Sequence, residues 1–134
     1  MRRRHLIAAL ALSAWSWAAM AGGVHAEERK KGGGETFIQL QTLTATVIRV
    51  DGRRGVMTVD AGIDVPDDAL RERANESTPR LRAAYAQVLQ IYATGLPGGA
   101  VPNADYLSRQ LQQQTDLVLG RPGARLLLGT ILVN

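Results

Sequence analysis

The 134-residue chain is long enough for one domain and contains no cysteine, so packing alone, without a disulfide framework, must hold it together. Its formal charge of +4 is concentrated at the start: Arg2, Arg3 and Arg4 precede an apolar run, and from Glu27 onward thirteen Lys and Arg face twelve Asp and Glu, a net +1. That balance, with Phe37, Tyr85, Tyr92 and Tyr106 as the aromatics after residue 26, excludes the basic, base-stacking surface that nucleic acid requires.

Residues 1–26 have the three parts of an export signal. Arg2-Arg3-Arg4 is the basic region, Leu6 to Ala21 the apolar run, and Val24-His25-Ala26 a cleavage site that puts the cut between Ala26 and Glu27. Ala19-Met20-Ala21 is a second site of the same kind. The pair Arg3-Arg4 followed by His5, Leu6 and Ile7 is similar to a twin-arginine signal; the general export route is the alternative. Kept uncut, the same segment would be a short N-terminal anchor, with the domain facing the periplasm in either case. Residues 27–35 are charged and glycine-rich, with no apolar side chain to bury. They read as a flexible linker, within which Arg29-Lys30-Lys31 could touch anionic lipid.

The domain proper is expected over 36–134. Thr36 to Val50 favours a long strand, with a bulge or a change of covered face near Thr42: Ile38, Leu40, Ile48 and Val50 share one face, Leu43, Ala45 and Val47 the other. Asp51-Gly52-Arg53-Arg54-Gly55 is turn chemistry, and Val56 to Ile63 closes a hairpin with Met57, Val59, Ala61 and Ile63 on one face. Asp64 to Asp68 switches the chain to a first, mostly charged surface helix ending near Glu76. Thr78-Pro79 opens a second, with Thr78 as the capping hydroxyl and Leu81, Ala84, Tyr85, Val88, Leu89 and Tyr92 as its stripe. Gly95 to Pro102 is a loop. Asn103 caps a third helix, whose inner stripe is Leu107, Leu111, Thr115 and Val118; Gly120 ends it and Pro122 prevents continuation. The last element, Arg125 to Val133, has six Leu, Ile or Val in nine residues. Such a run reads as a strand covered on both faces, at the centre of the sheet. The fold class is therefore α+β: a small antiparallel or mixed sheet, a hairpin plus a central C-terminal strand, covered by two to three helices in the order ββαααβ.

Both histidines, His5 and His25, lie in the leader, and no lysine follows Lys31. After Glu27 the chain therefore lacks the residues for a His/Cys zinc site, a Cys nucleophile, a Ser–His pair or a Walker loop. Ser77 and Ser108 are outside any nucleophile motif. Asp60, Asp64, Asp67 and Asp68 cluster in sequence but without calcium-loop spacing, which makes them strand-end and capping residues. Arg71, Arg73, Arg80 and Arg82, interleaved with Glu72 and Glu76, suggest local ion pairs. Gln110, Gln112, Gln113 and Gln114 suggest a wet helix face. No catalytic, metal or cofactor residue is expected, and no cofactor.

The order of elements adds a resemblance. A strand pair, Thr46 to Val50 and Val56 to Ile63, leads into Asp67-Asp68-Ala69-Leu70; then come Thr78-Pro79-Arg80-Leu81-Arg82, Tyr106-Leu107-Ser108-Arg109-Gln110-Leu111, and a closing apolar strand ending at Asn134. In that sequence of features the chain from Phe37 onward resembles the extracytoplasmic domain of FliL-type flagellar basal-body proteins. The resemblance implies a stomatin-like fold, no enzyme activity, and association with the basal body and its stator units near the membrane, with homo-oligomer formation as a further expectation. It carries over no functional residue. The alternative is a free periplasmic binding or interaction module unrelated to motility.

Overall fold

The computed structural model describes residues 34–134. Arg3, Arg4, Ala26 and Glu27, expected to direct export and cleavage, and residues 27–33 of the expected linker lie outside the described residues. The elements are β1 (Phe37–Gln39), β2 (Leu43–Ile48), β3 (Arg54–Asp64), α1 (Asp68–Glu76), α2 (Thr78–Gly95), α3 (Ala104–Leu119) and β4 (Arg125–Val133). They form one four-stranded antiparallel sheet with three helices, an α+β fold.

The expected long first strand is two short ones. β1 pairs with the last residues of β3, and β2 with its first half, so both lie along the same side of β3. Leu40 is buried before the break, and Leu43, Ala45 and Val47 are buried after it. The change of covered face therefore falls across residues 40–42, where the mismatch in alternation required it. The hairpin between β2 and β3 closes on Asp51-Gly52. Gly52 has φ of 80° and donates to the Arg49 carbonyl at 2.9 Å, and Arg49 N–H meets the Arg53 carbonyl at 2.8 Å. That arrangement is a three-residue loop with its last residue left-handed, a position that favours glycine.

The central strand is β3, not β4. β3 has β1 and β2 on one side and β4 on the other, and its Met57, Val59, Ala61 and Ile63 are all buried. β4 is an edge strand, and Leu126 is its one fully buried residue; Leu127, Leu132 and Val133 are exposed. A bulge explains why the expectation failed. Val59 pairs with Ile131 and Ala61 with Leu128, so Asp60 faces both Gly129 and Thr130. One extra residue resets the alternation. Leu126 and Leu128 point inward before it and Ile131 after it, while Leu127 and Leu132 point to the uncovered face. An alternating half-covered strand interrupted by a bulge thus reads, in one dimension, as a continuous apolar run.

The helices cover one face of the sheet. α2 lies on β2 and α3 on β4, the two pack side by side, and α1 contacts both. Asp67 caps α1, accepting from the Leu70 N–H at 2.8 Å. α1 is amphipathic, not wholly on the surface: Leu70 and Ala74 are buried. Thr78 is not the cap of α2. Ser77 occupies that position, shared with the end of α1 and making no side-chain capping bond, while the Thr78 hydroxyl donates back to the Ala74 carbonyl at 3.2 Å. Because α1 runs almost directly into α2, the α1 carbonyl end offers the nearer partner. Leu81, Tyr85, Leu89 and Ala93 form the buried stripe of α2; Val88 and Tyr92 border it. In α3 the stripe is Leu107, Leu111, Thr115 and Leu119, with Val118 displaced to its margin. Asn103 caps α3 through the Tyr106 N–H, and Gly120, at φ of 81°, ends it.

Candidate interaction surface

The four aspartates that were candidates for chemistry have structural tasks. Asp64 accepts from the Thr36 hydroxyl and Asp60 from the Thr42 hydroxyl, tying the first strands to β3. Asp67 caps α1 and pairs with Arg121 at 2.8 Å, which together hold its carboxyl below the usual carboxylate range, the capping N–H contributing most. Asp68 pairs with Arg71 at 2.6 Å. The four aspartates are thus not gathered into one site, and among the described residues no three His, Cys, Asp or Glu groups converge as metal ligands.

The expected ion pairs with Glu72 and Glu76 do not form. Arg71 bonds Asp68 and the Val65 carbonyl, and Arg73 reaches the Leu119 carbonyl at 3.1 Å. The last carbonyls of α3 attract that cation more than an exposed glutamate one turn away. Arg80 and Arg82 have no carboxylate partner among the described residues. Tyr85 is a core residue: its hydroxyl donates to Thr115, whose own hydroxyl donates to the Leu111 carbonyl at 2.8 Å. Burial raises the Tyr85 phenol above its ordinary value. Tyr92 stacks on Tyr106 and accepts from the Asn103 N–H, fastening the α2–α3 loop.

Two glutamines do work that composition conceals. Gln112 is not on a wet face. It donates to the Ala124 carbonyl and accepts from the Leu126 N–H, both at 2.8 Å, so that one amide completes the open edge of β4. Gln90 serves β2 similarly, accepting from the Thr46 N–H at 3.1 Å and facing its carbonyl at 3.4 Å. Both sheet edges thus carry a side-chain amide in place of a further strand, which blunts them against pairing with another chain. A glutamine one face away from a helix's apolar stripe is the only sequence signal of this.

Among the described residues, two open surfaces carry apolar side chains. One is the sheet face away from the helices, where Ile48, Val56, Leu127 and Leu132 are exposed among threonines. At its far end Phe37 covers Gly62 so closely that a Cβ there would meet the ring at 2.2 Å. The other is a groove of about 420 Å³ at the hairpin end of the molecule. Val47, Leu96, Pro97 and Val133 supply its apolar lining, and Arg49 and Asp51 its polar rim. The α2–α3 loop forms one wall. Ala100 N–H closes a turn on the Pro97 carbonyl at 3.0 Å, with Gly99 at φ of 78° in the position that demands it. The loop lies against the hairpin tip: a Cβ on Gly98 would come within 2.9 Å of the Arg49 carbonyl, and one on Gly99 within 2.3 Å of Val50. Val50 and Val101, 83% and 87% exposed, are the most exposed large apolar residues described.

Arg49, Arg53 and Arg54 surround this tip, a role beyond the turn chemistry expected of Asp51 to Gly55. Asp51, the one carboxylate among them, accepts from the Arg53 backbone N–H at 3.0 Å. Three arginines in six residues with a single acid was the available signal. Among the described residues no helix is long and apolar enough to cross a membrane. Compared with known proteins, the chain matches no family model and no curated sequence.

Proposed function

We infer that the chain is an exported, non-enzymatic domain that acts by holding a protein partner on the periplasmic side of the inner membrane. The observation that carries this reading is the division of labour among its side chains. Asp60, Asp64, Asp67, Asp68, Tyr85 and Thr115 are engaged in capping and bracing, whereas at the hairpin end open apolar surface adjoins arginines with no ion-pair partner among the described residues. Exposed apolar patches rimmed by polar groups are characteristic of interaction sites.

The resemblance of the order of elements to FliL-type proteins supports one partner class: the flagellar basal body, with stator units as the contact and self-assembly as a further property. The experiment is deletion of the gene, followed by swimming assays and recovery of the tagged protein with purified basal bodies. Reduced motility with co-purification is the expected outcome; normal swimming with no recovery overturns the flagellar assignment. The cleavage pattern ending at Ala26 favours a second reading, a free periplasmic interaction module. N-terminal sequencing of the exported protein distinguishes them: Glu27 as the first residue supports the free form, and an intact Met1 or Arg2 the anchored one.

A further inference from the structure

The geometry points to the groove at the hairpin end as the docking site for one kind of partner: an acidic protein segment that sets an apolar side chain into the groove and a carboxylate against Arg49. Three observations converge on it. The groove is preformed, because Gly98 and Gly99 let the α2–α3 loop lie directly on the hairpin tip, and its volume of about 420 Å³ is room enough for an apolar side chain. Its lining of Val47, Leu96, Pro97 and Val133 offers apolar contact without a competing side-chain hydrogen bond.

Charge supplies the second argument. Arg71 and Arg121 are neutralised by Asp68 and Asp67, but no carboxylate lies in ion-pair reach of Arg49, Arg53 or Arg54 among the described residues. Asp51 is turned to its own loop. A guanidinium beside an apolar cleft is suited to planar carboxylate recognition. The Arg49 stem is also held in place. It crosses Gly55 so closely that a Cβ there would meet its Cγ at 2.9 Å.

Position supplies the third, and it separates a protein from a lipid surface. Gly34 precedes β1, and β1 pairs with the Asp64 end of β3, whereas the groove adjoins the Arg54 end. Eleven residues of strand put about 35 Å between the two ends. That distance is several Debye lengths of roughly 8–10 Å. A membrane meeting the Gly34 end of the domain would therefore not reach the groove's charge, whereas a protein segment can approach the Arg54 end directly.

The inference rests on the partner-binding reading above. Its test is fluorescence anisotropy of the full chain with two labelled peptides, one alternating aspartate and valine, the other alternating lysine and valine. The acidic peptide is expected to bind and the basic one to bind at least about tenfold more weakly. Arg49→Glu is expected to weaken the acidic peptide by about tenfold or more at an unchanged melting temperature, and Arg49→Lys to weaken it by a smaller factor, since the charge stays and the planar fork is lost. Should Arg49→Glu fail to fold, the double variant Arg53→Glu/Arg54→Glu on the exposed turn carries the same expectation. Equal binding of both peptides, or none at about millimolar concentration, overturns the proposal. So does retention on phosphatidylglycerol vesicles but not phosphatidylcholine vesicles that Arg49→Glu abolishes, which would assign the patch to anionic lipid. Concentration-dependent self-association abolished by that variant would assign it to a second copy and overturn it equally. A deletion strain that swims poorly while the acidic peptide fails to bind would remove this docking site and leave the motility reading standing.

Discussion

Gln112 offers a sharp test of how the sheet is finished. Its side chain satisfies the Leu126 N–H and the Ala124 carbonyl on the outer edge of β4 and also bonds Asp116 at 3.0 Å. Gln112→Ala leaves both backbone groups without a protein partner. An orphaned buried polar group costs about 1–3 kcal/mol; water reaches part of this half-buried edge, so the pair together is worth about 1.5–3 kcal/mol. Alanine's higher helix propensity returns only a few tenths of that. For a domain of about 100 residues, each kcal/mol moves Tm by roughly 4–8 °C, so a fall of roughly 5–22 °C is expected. Thermal unfolding followed by circular dichroism measures it, and hydrogen exchange should show the Leu126 amide losing protection before the Ile63 side of the strand pair. Gln113→Ala, on the exposed face of the same helix, is the control and should stay within about 0.5 kcal/mol of the parent. The reasoning is refuted if Gln112→Ala melts within about 2 °C of the parent, or if the two variants lose the same stability.

The edge position of β4 separates two leucines six residues apart: Leu126→Ala, in the core, should cost about 2–4 kcal/mol, and Leu132→Ala, on the open face, under about 1 kcal/mol. Equal losses in urea titrations would restore a strand covered on both sides. Tyr85 ties stability to alkaline pH. Burial, with a smaller contribution from the Asp116 charge, raises its phenol, and the Thr115 bond opposes the rise. The unfolded chain therefore ionises first, and stability falls as pH rises beyond about 10. Tyr85→Phe should flatten that fall, at a loss of about 1 kcal/mol at neutral pH for the missing bond to Thr115; an unaltered alkaline slope would contradict the assignment. At the acid end, Asp67 is held low by the Leu70 N–H and Arg121. Its contribution is present above the unfolded carboxylate value near pH 4 and is lost as pH falls through the lower folded value. Asp67→Asn should make the acid limb of a stability–pH curve shallower, and an identical limb would remove Asp67 as a cause.

Local features were legible wherever neighbouring residues decide the outcome. The hairpin was marked by Asp51-Gly52, the start of α3 by Asn103 and its end by Gly120, and the buried faces of β3, α2 and most of α3 by their periods. The capping error at Thr78 has the same local scale: Ser77 and Thr78 are equally good caps on paper, and only the abutting end of α1 chose between them. For the candidate surface the position was different. Arg49, Arg53 and Arg54 were visible as a turn, but the groove needs Val47, Leu96, Pro97 and Val133 from three separate segments to meet.

Sequence by itself determined that the chain is cysteine-free and of α+β class, with strands and helices in a readable order, because periodicity and turn chemistry act over a few residues. Tertiary structure alone decided that β3 and not β4 occupies the middle of the sheet, that Gln90 and Gln112 close its edges, and that the basic hairpin tip borders an apolar groove. The physical reason is that strand order and edge pairing depend on contacts between distant segments. A single bulge opposite Asp60 is enough to give a half-covered strand the residue pattern of a fully buried one.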